Sequence, residues 1–275
     1  MSWGAPYNGR ASLFPTLMDF SWFDSYWLLL APAAFFAGMV DAVVGGGGLI
    51  QIPVLLAQFP NTAIPTLFDT NKVSSIAGTG AALWRYARTV SIPWAVVLPA
   101  TLAALIGAWL GAAVVAWLSR EAMRPLVIVL MLVVAVYTFL RKDLGQTSSR
   151  ELVPADRWRG VLLGGIIGFY DGFFGPGTGS FLIFGFVRFF GMDFLRASAS
   201  AKVINTATNV SAIAFFASHG PLLWQVGLVM AVCNLFGSQV GARLAIRHGA
   251  GFVRRAFLLV VAVLIVKLAW DMVGH

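Results

Sequence analysis

The stretch VDAVVGGGGLIQIP, residues 40–53, interrupts a hydrophobic region that otherwise has the character of a membrane-spanning helix. Four successive glycines, at about 1 kcal/mol each relative to alanine, are enough to melt a helix at that point. Asp41 lies one turn ahead of them. A membrane segment broken in its middle, with a carboxylate beside the break, calls for a reason that the rest of the chain must supply.

Of the 275 residues, 59% are hydrophobic and 11% are charged, against roughly 25% charge in soluble domains. Apolar stretches such as residues 95–118 exceed the ~20 residues needed to cross a bilayer. The pattern predicts an all-α polytopic membrane protein; a β-barrel needs alternating segments of about 10 residues, which are absent. The single cysteine, Cys233, excludes an intramolecular disulfide. His219, His248 and His275 lie far apart, and no Cys/His spacing suits a metal, so neither metal nor cofactor is expected. The net charge of +8 is read as basic flanks of spans rather than as a nucleic-acid-binding surface. Residues 1–25 are expected to form a lead-in rather than a signal peptide, because no charged start runs directly into an apolar core. Trp3, Trp22 and Trp27 in and beside it suit a bilayer interface.

Offset by 130 residues, the sequence matches itself without gaps. Gly38 and Asp41 fall on Gly168 and Asp171, Lys72 on Lys202, Trp94 on Trp224 and Arg124 on Arg254. Gly45 and Gly47 fall on Gly175 and Gly177, and Gly107, Gly111 and Ala112 on Gly237, Gly241 and Ala242. A register that aligns Asp, Lys, Trp and Arg together marks an internal repeat. Four units are therefore expected: the lead-in 1–25, a first repeat over 26–142, a polar cytoplasmic linker at 143–156 and a second repeat over 157–275. Each repeat holds four hydrophobic segments, about 26–58, 66–86, 93–118 and 123–141, then 160–190, 197–217, 221–246 and 253–272. The first segment of each carries the break, VVGGGGLI or FFGPGTGS.

Such a broken segment either crosses the membrane or folds back, and the basic residues discriminate. With simple crossings, the charges other than Lys72 and Lys202 split nine to eight between the two sides. If both broken segments return to their side of entry, thirteen share one side, among them Arg85, Arg88, Arg159, Arg188, Arg243 and Arg247. Arg10, Arg120, Arg124 and Lys267 remain opposite. That asymmetry is what cytoplasmic orientation predicts. It also makes the repeats inverted, an arrangement common in secondary transporters.

Irregular backbone at membrane depth survives only when buried in protein or lining a wet cavity. Two breaks entering from opposite faces would bring GGGG and GPGTG together. The helices after them, starting at Leu49 and near Ser180, would aim positive dipole ends at an anion. Packing is the alternative reading of glycines; it suits Gly107/Gly111 and Gly237/Gly241, spaced four apart. The second segments carry intramembrane lysines, each followed by polar residues on one helical face: Lys202, Asn205 and Asn209, and correspondingly Lys72, Ser75 and Thr79. Asn71 stands beside Lys72. Two such faces form a compact cationic cage for a small oxyanion; the alternative is that each lysine snorkels to a nearby helix end. For Asp41 and Asp171 three roles stand open: pairing with the lysines, carrying a proton, or capping the broken helices.

On GMVDAVVGGGGLIQIPVLL, on DTNKVSSIAGTGAALWRYAR and on the echo SASAKVINTATNVSAI, the chain resembles the sulfite exporter TauE/SafE family of membrane transporters, from about residue 33 onward. The resemblance implies export of sulfite, sulfoacetate or a related sulfonate across the bacterial inner membrane. It points to Asp41, Gly45 to Gly48, Thr70, Asn71, Lys72, Lys202 and Asn205; the second loop, with Gly175, Gly177, Thr178 and Gly179, fits the family pattern. Ala201 stands where the first repeat has Asn71, so the two sides of the site are expected to differ. The expected function is secondary transport of a small anion by alternating access, in a multi-pass protein whose partners are that anion, the lipid bilayer and a second copy of the chain in a homo-oligomer. An anion channel with a lysine-lined pore is the alternative. An enzyme is disfavoured, since no nucleophile-base pairing or Gly-Lys-Ser/Thr phosphate loop appears.

Overall fold

The structure, a computed structural model, describes residues 26–117, 126, 129, 130, 133, 151–219 and 222–273. All regular structure among them is helical. The helices are α1 (Trp27–Val44), α2 (Gly48–Gln58), α3 (Ile64–Ala87), α4 (Trp94–Trp117), α5 (Ala155–Phe173), α6 (Thr178–Phe190), α7 (Phe194–His219) and α8 (Trp224–Val273). The lead-in 1–25, residues 143–150 of the expected linker and most of the segment expected at 123–141 fall outside the described residues. Helix α5 opens at Ala155, inside the stretch expected as linker, and Asp156 accepts a hydrogen bond from the Val153 amide at 2.9 Å across its first turn. The segments expected separately at 221–246 and 253–272 are joined in α8. Gly249 and Gly251 between them weaken a helix without removing a donor from its ladder as proline does.

Both broken segments fold back. After α1, Gly45 adopts the left-handed conformation (φ 80°) and its amide closes the helix on the Asp41 carbonyl at 2.9 Å. A β-carbon placed on Gly47 would stand 2.7 Å from the Ala37 carbonyl and 2.8 Å from the Asp41 side chain, so the chain has already turned back along α1. At the far end, the Tyr26 and Phe59 rings lie 5.8 Å apart, bringing the start of α1 to the end of α2. The second break turns at Gly175 (φ 95°) and Gly177 (φ 84°). Leu163 of α5 then packs on Gly185 of α6.

The two stretches of chain exchange partners. Helix α1 packs along α8, and α5 along α4, while α3 and α7 cross between them. Both long contacts run on small residues. Gly164, Gly168 and Gly172 of α5 sit on the backbone of Ala100, Ala104 and Ala108 of α4, and Gly237 and Gly241 of α8 sit on Phe35 and Met39 of α1. This is the close approach that small residues permit between membrane helices. It agrees with the packing role read for Gly107/Gly111 and Gly237/Gly241. The outer face of α4 presents Leu98, Leu102, Ile106 and Leu110, and that of α8 presents Leu228, Val232 and Phe236. In water so continuous an apolar surface is a liability; against acyl chains it is the expected exterior.

Trp27–Val44, Trp94–Trp117 and Trp224–His248 are long and apolar enough to cross a membrane. Helices α3 and α7 have comparable length and lower hydropathy, because their inward faces carry the polar residues of the site.

Candidate functional site

The two breaks meet. A β-carbon on Gly45 would overlap the backbone of Gly179, and one on Gly179 would overlap Gly45. Only glycine allows two backbones to approach this closely. Tyrosines hold the turns: Tyr86 of α3 donates to the Ala42 carbonyl at 2.9 Å, and Tyr170 of α5 donates to the Pro176 carbonyl at 2.6 Å. Ser180 crosses between them, donating to the Val44 carbonyl at 2.6 Å.

Around this crossing stand two ion pairs, each joining the two stretches of chain. Lys72 Nζ of α3 lies 2.6 Å from Asp171 Oδ1 of α5, and Lys202 Nζ of α7 lies 2.7 Å from Asp41 Oδ2 of α1. Lys202 also donates to the Asp41 backbone carbonyl, so the cation sits on the negative end of α1, where a helix dipole favours it. Thr79 donates to Asp41 Oδ2 at 3.2 Å and Thr178 to Asp171 Oδ1 at 2.7 Å. All four charged side chains are buried, so neither lysine snorkels. Of the roles open to Asp41 and Asp171, pairing with the lysines is the one seen in this conformation. The pairing also corrects the cationic cage, because two lysines and two aspartates sum to zero charge.

Between the pairs lies a small polar cavity of about 20 Å³, room for one water molecule. Its walls are the glycine turns, through Gly45, Gly48, Gly175, Gly177 and Gly179, and three residues of α3, Asn71, Lys72 and Ser75. Asn205 and Asn209 of α7 close it, and Asp41 and Asp171 border it. Gly48 opens α2, while Gly177 and Gly179 flank the start of α6. The first turns of both helices, whose amides have no intrahelical acceptor, therefore border the cavity. Two acceptors on it, Asn71 Oδ1 and Asp171 Oδ2, have no hydrogen-bond partner. An amide can be turned to offer its NH₂ group instead.

Six residues expected at the site do not form its wall. Gly46 and Gly47 shape the turn behind it, with their carbonyls accepting from Leu49 and Ile50. Thr70 donates at 2.7 Å to the Thr66 carbonyl of its own helix. Thr79 and Thr178 hold the aspartates instead, and Lys202 stands behind Asp41 with no exposed surface. Lys72 is thus the lysine on the cavity, an inequivalence in line with Ala201 opposite Asn71.

Asp69 was not singled out in the sequence. It is 1% exposed, and among the described residues neither of its carboxylate oxygens has a hydrogen-bond partner. It lines a second cavity of about 730 Å³ between the start of α3 and the ends of α4 and α7, with Trp117 and His219. Its position three residues before Lys72, on the same helical face, was the available signal. A buried carboxylate without such partners costs more in its charged form than a neutral amide of the same shape does. Asp69→Asn, which keeps the shape and removes the charge, is expected to raise the melting midpoint by a few degrees; an unchanged or lower midpoint means the carboxylate is compensated.

A profile of the sulfite exporter TauE/SafE family matches residues 30–268. The chain is 36% identical over 241 residues to a probable membrane transporter protein ORF9 of Sinorhizobium sp, covering 87% of this chain and 90% of that one. It is 30% identical over 242 residues to the probable membrane transporter protein YfcA of Escherichia coli strain K12, covering 88% and 89%. A probable membrane transporter protein of Haemophilus influenzae is 29% identical over 245 residues, covering 88% and 94%. No solved structure matches the chain. The matched region takes in both glycine turns, both ion pairs and every residue of the small cavity. The chain is a multi-pass membrane transporter belonging to the sulfite exporter TauE/SafE family.

Proposed function

We propose that the protein exports a small organosulfur or sulfur oxyanion, such as sulfite, sulfoacetate or a similar sulfonate, across the bacterial inner membrane by alternating access, with the cavity at the crossed glycine turns as the binding site. The observation that carries the reading is the pair of bridges Lys72–Asp171 and Lys202–Asp41, each spanning the two stretches of chain at the point where two helix N-termini converge. In this reading the stretches are inverted repeats that rock against each other, and the described conformation is a closed one. A cavity the size of one water is too small for a sulfur oxyanion, so the turns must part before one enters. Parting stretches or breaks a bridge. An arriving anion supplies the compensation by taking Lys72 as its partner while Gly48, Gly177 and Asn209 border its other oxygens. Asp171, released from Lys72, keeps the Thr178 bond on Oδ1, and a proton taken at Oδ2 restores neutrality. Outward movement of a monoanion is already favoured by about 2.3 kcal/mol per 100 mV of negative-inside potential.

Radiolabelled sulfite flux into proteoliposomes tests this. Saturable uptake that accelerates when unlabelled sulfite is preloaded on the opposite side is expected, with at least a tenfold loss in Asn209→Leu. A current linear in sulfite concentration, without acceleration by preloading, would instead identify a channel.

A further inference from the structure

We infer that the pocket between the end of α3 and α8 is a binding site for the phosphate headgroup of an anionic phospholipid, separate from the transport cavity and independent of what that cavity carries. The pocket, of about 620 Å³, is lined by Trp84, Arg85, Arg88, Arg243, Ile246 and Arg247, with Thr89 at its edge. Four guanidinium groups thus face one space, and among the described residues no acidic side chain lines it. Arg85 and Arg243 are close enough for their charges to act on each other. Like charges so gathered repel unless an anion lies among them.

Neutral groups hold the two α3 arginines. Arg85 donates through Nε to Gln239 Oε1 at 2.9 Å and through Nη2 to the same oxygen. Gln239 in turn donates to the Ala81 carbonyl at 3.4 Å. The guanidinium is therefore oriented by an amide that leaves its charge intact. The Arg88 guanidinium lies 3.7 Å over the centre of the Trp84 ring, held there by a neutral π face. A single arginine in the last turn of α3 is explained by the helix dipole; four arginines from two helices exceed what one helix end requires.

The setting favours a lipid over a dissolved anion. Trp84 is 53% exposed, as an aromatic at the bilayer boundary is expected to be, and Ile246 adds an apolar wall beside the charges. Arg88, Arg243 and Arg247 are exposed, so salt screens them from a dilute soluble ion. A headgroup is held beside them by its acyl chains. These four arginines are among the thirteen basic residues that fold-back of the broken segments assigns to one side. Lys72 is thirteen residues earlier on α3, about 20 Å away at 1.5 Å per residue, which keeps the two sites apart.

The test uses the delipidated full chain in detergent, titrated with phosphatidylglycerol or phosphatidylcholine and followed by native mass spectrometry and melting midpoint. Phosphatidylglycerol is expected to be retained and to raise the midpoint, with phosphatidylcholine much weaker. Arg243→Gln/Arg247→Gln is expected to lower phosphatidylglycerol retention roughly thirtyfold, since each basic residue near the surface contributes about one factor of five to six. Should that variant fail to fold, the wild-type lipid comparison and its loss in high salt decide alone. Equal retention of the two lipids, or retention unchanged in the variant, overturns the proposal. So does an equal midpoint rise with inorganic phosphate, which marks a soluble-anion site. Sulfite flux that fails while phosphatidylglycerol binding persists counts against the transport reading only.

Discussion

Lys202→Met is expected to destabilise the protein by about 3–5 kcal/mol, because it leaves Asp41 buried as an uncompensated charge. Lys202 has no exposed surface, and the two bonds it makes to Asp41 have no replacement in solvent. Asp41→Asn on the same background is expected to recover most of the loss, since the amide keeps the acceptor for Thr79 without its charge. A double-mutant cycle measured by unfolding in detergent isolates the coupling. The cycle distinguishes a buried bridge from a lysine that reaches the surface: a single-mutant loss below about 1 kcal/mol, the range of exposed pairs, belongs to the latter. Lys72→Met is expected to cost less than Lys202→Met, because Lys202 also serves the Asp41 backbone carbonyl, a second bond that its loss leaves unmade.

Gly45→Ala is expected to be the second severe change. The left-handed backbone at Gly45 costs an alanine roughly 1–2 kcal/mol, and its methyl group overlaps the Gly179 backbone, adding about 1–3 kcal/mol of overpacking. Because the overlap pushes the two turns apart, transport is expected to fall together with stability. Gly80→Ala is the control. Gly80 lies within α3 with nothing inside 4 Å of the added carbon, so alanine there is expected to stabilise by about 0.5–1 kcal/mol. Similar losses at both positions would mean that the turns do not depend on contact at Gly45.

The breaks were legible because glycine and proline act locally: GGGG and GPGTG cannot continue a membrane helix whatever surrounds them. The pairing of Lys72 with Asp171 across the chain was not legible. The sequence shows which charges need partners, but the offset that aligns Asp41 with Asp171 does not say whether each lysine takes the aspartate of its own stretch or of the other. That choice follows from the packing of α1 on α8 and α5 on α4, set by small residues whose partners are not marked in the sequence. The same limit explains Lys202. Helical spacing put it on a face with Asn205 and Asn209, yet its long side chain turns aside to the end of α1, a direction spacing does not fix. Thr79 and Thr178 have the hydroxyl chemistry of ligands but serve the aspartates. Asp69 was visible three residues before Lys72, and the cavity it lines appears only once α4 and α7 are in place around it.

The most direct measurement is the melting midpoint of the detergent-purified protein with sulfite, thiosulfate, sulfoacetate, taurine, acetate and chloride, in wild type and in Asn209→Leu. A ligand at ~100 times its dissociation constant adds about 2.7 kcal/mol of apparent stability. Asn209 borders the cavity without taking part in either ion pair, so its replacement leaves the bridges in place. A sulfur oxyanion is expected to raise the wild-type midpoint, and Asn209→Leu to remove most of the rise. A rise of equal size in both proteins, or stabilisation by the net-neutral taurine alone, would contradict the assignment of the crossed glycine turns as an anion site.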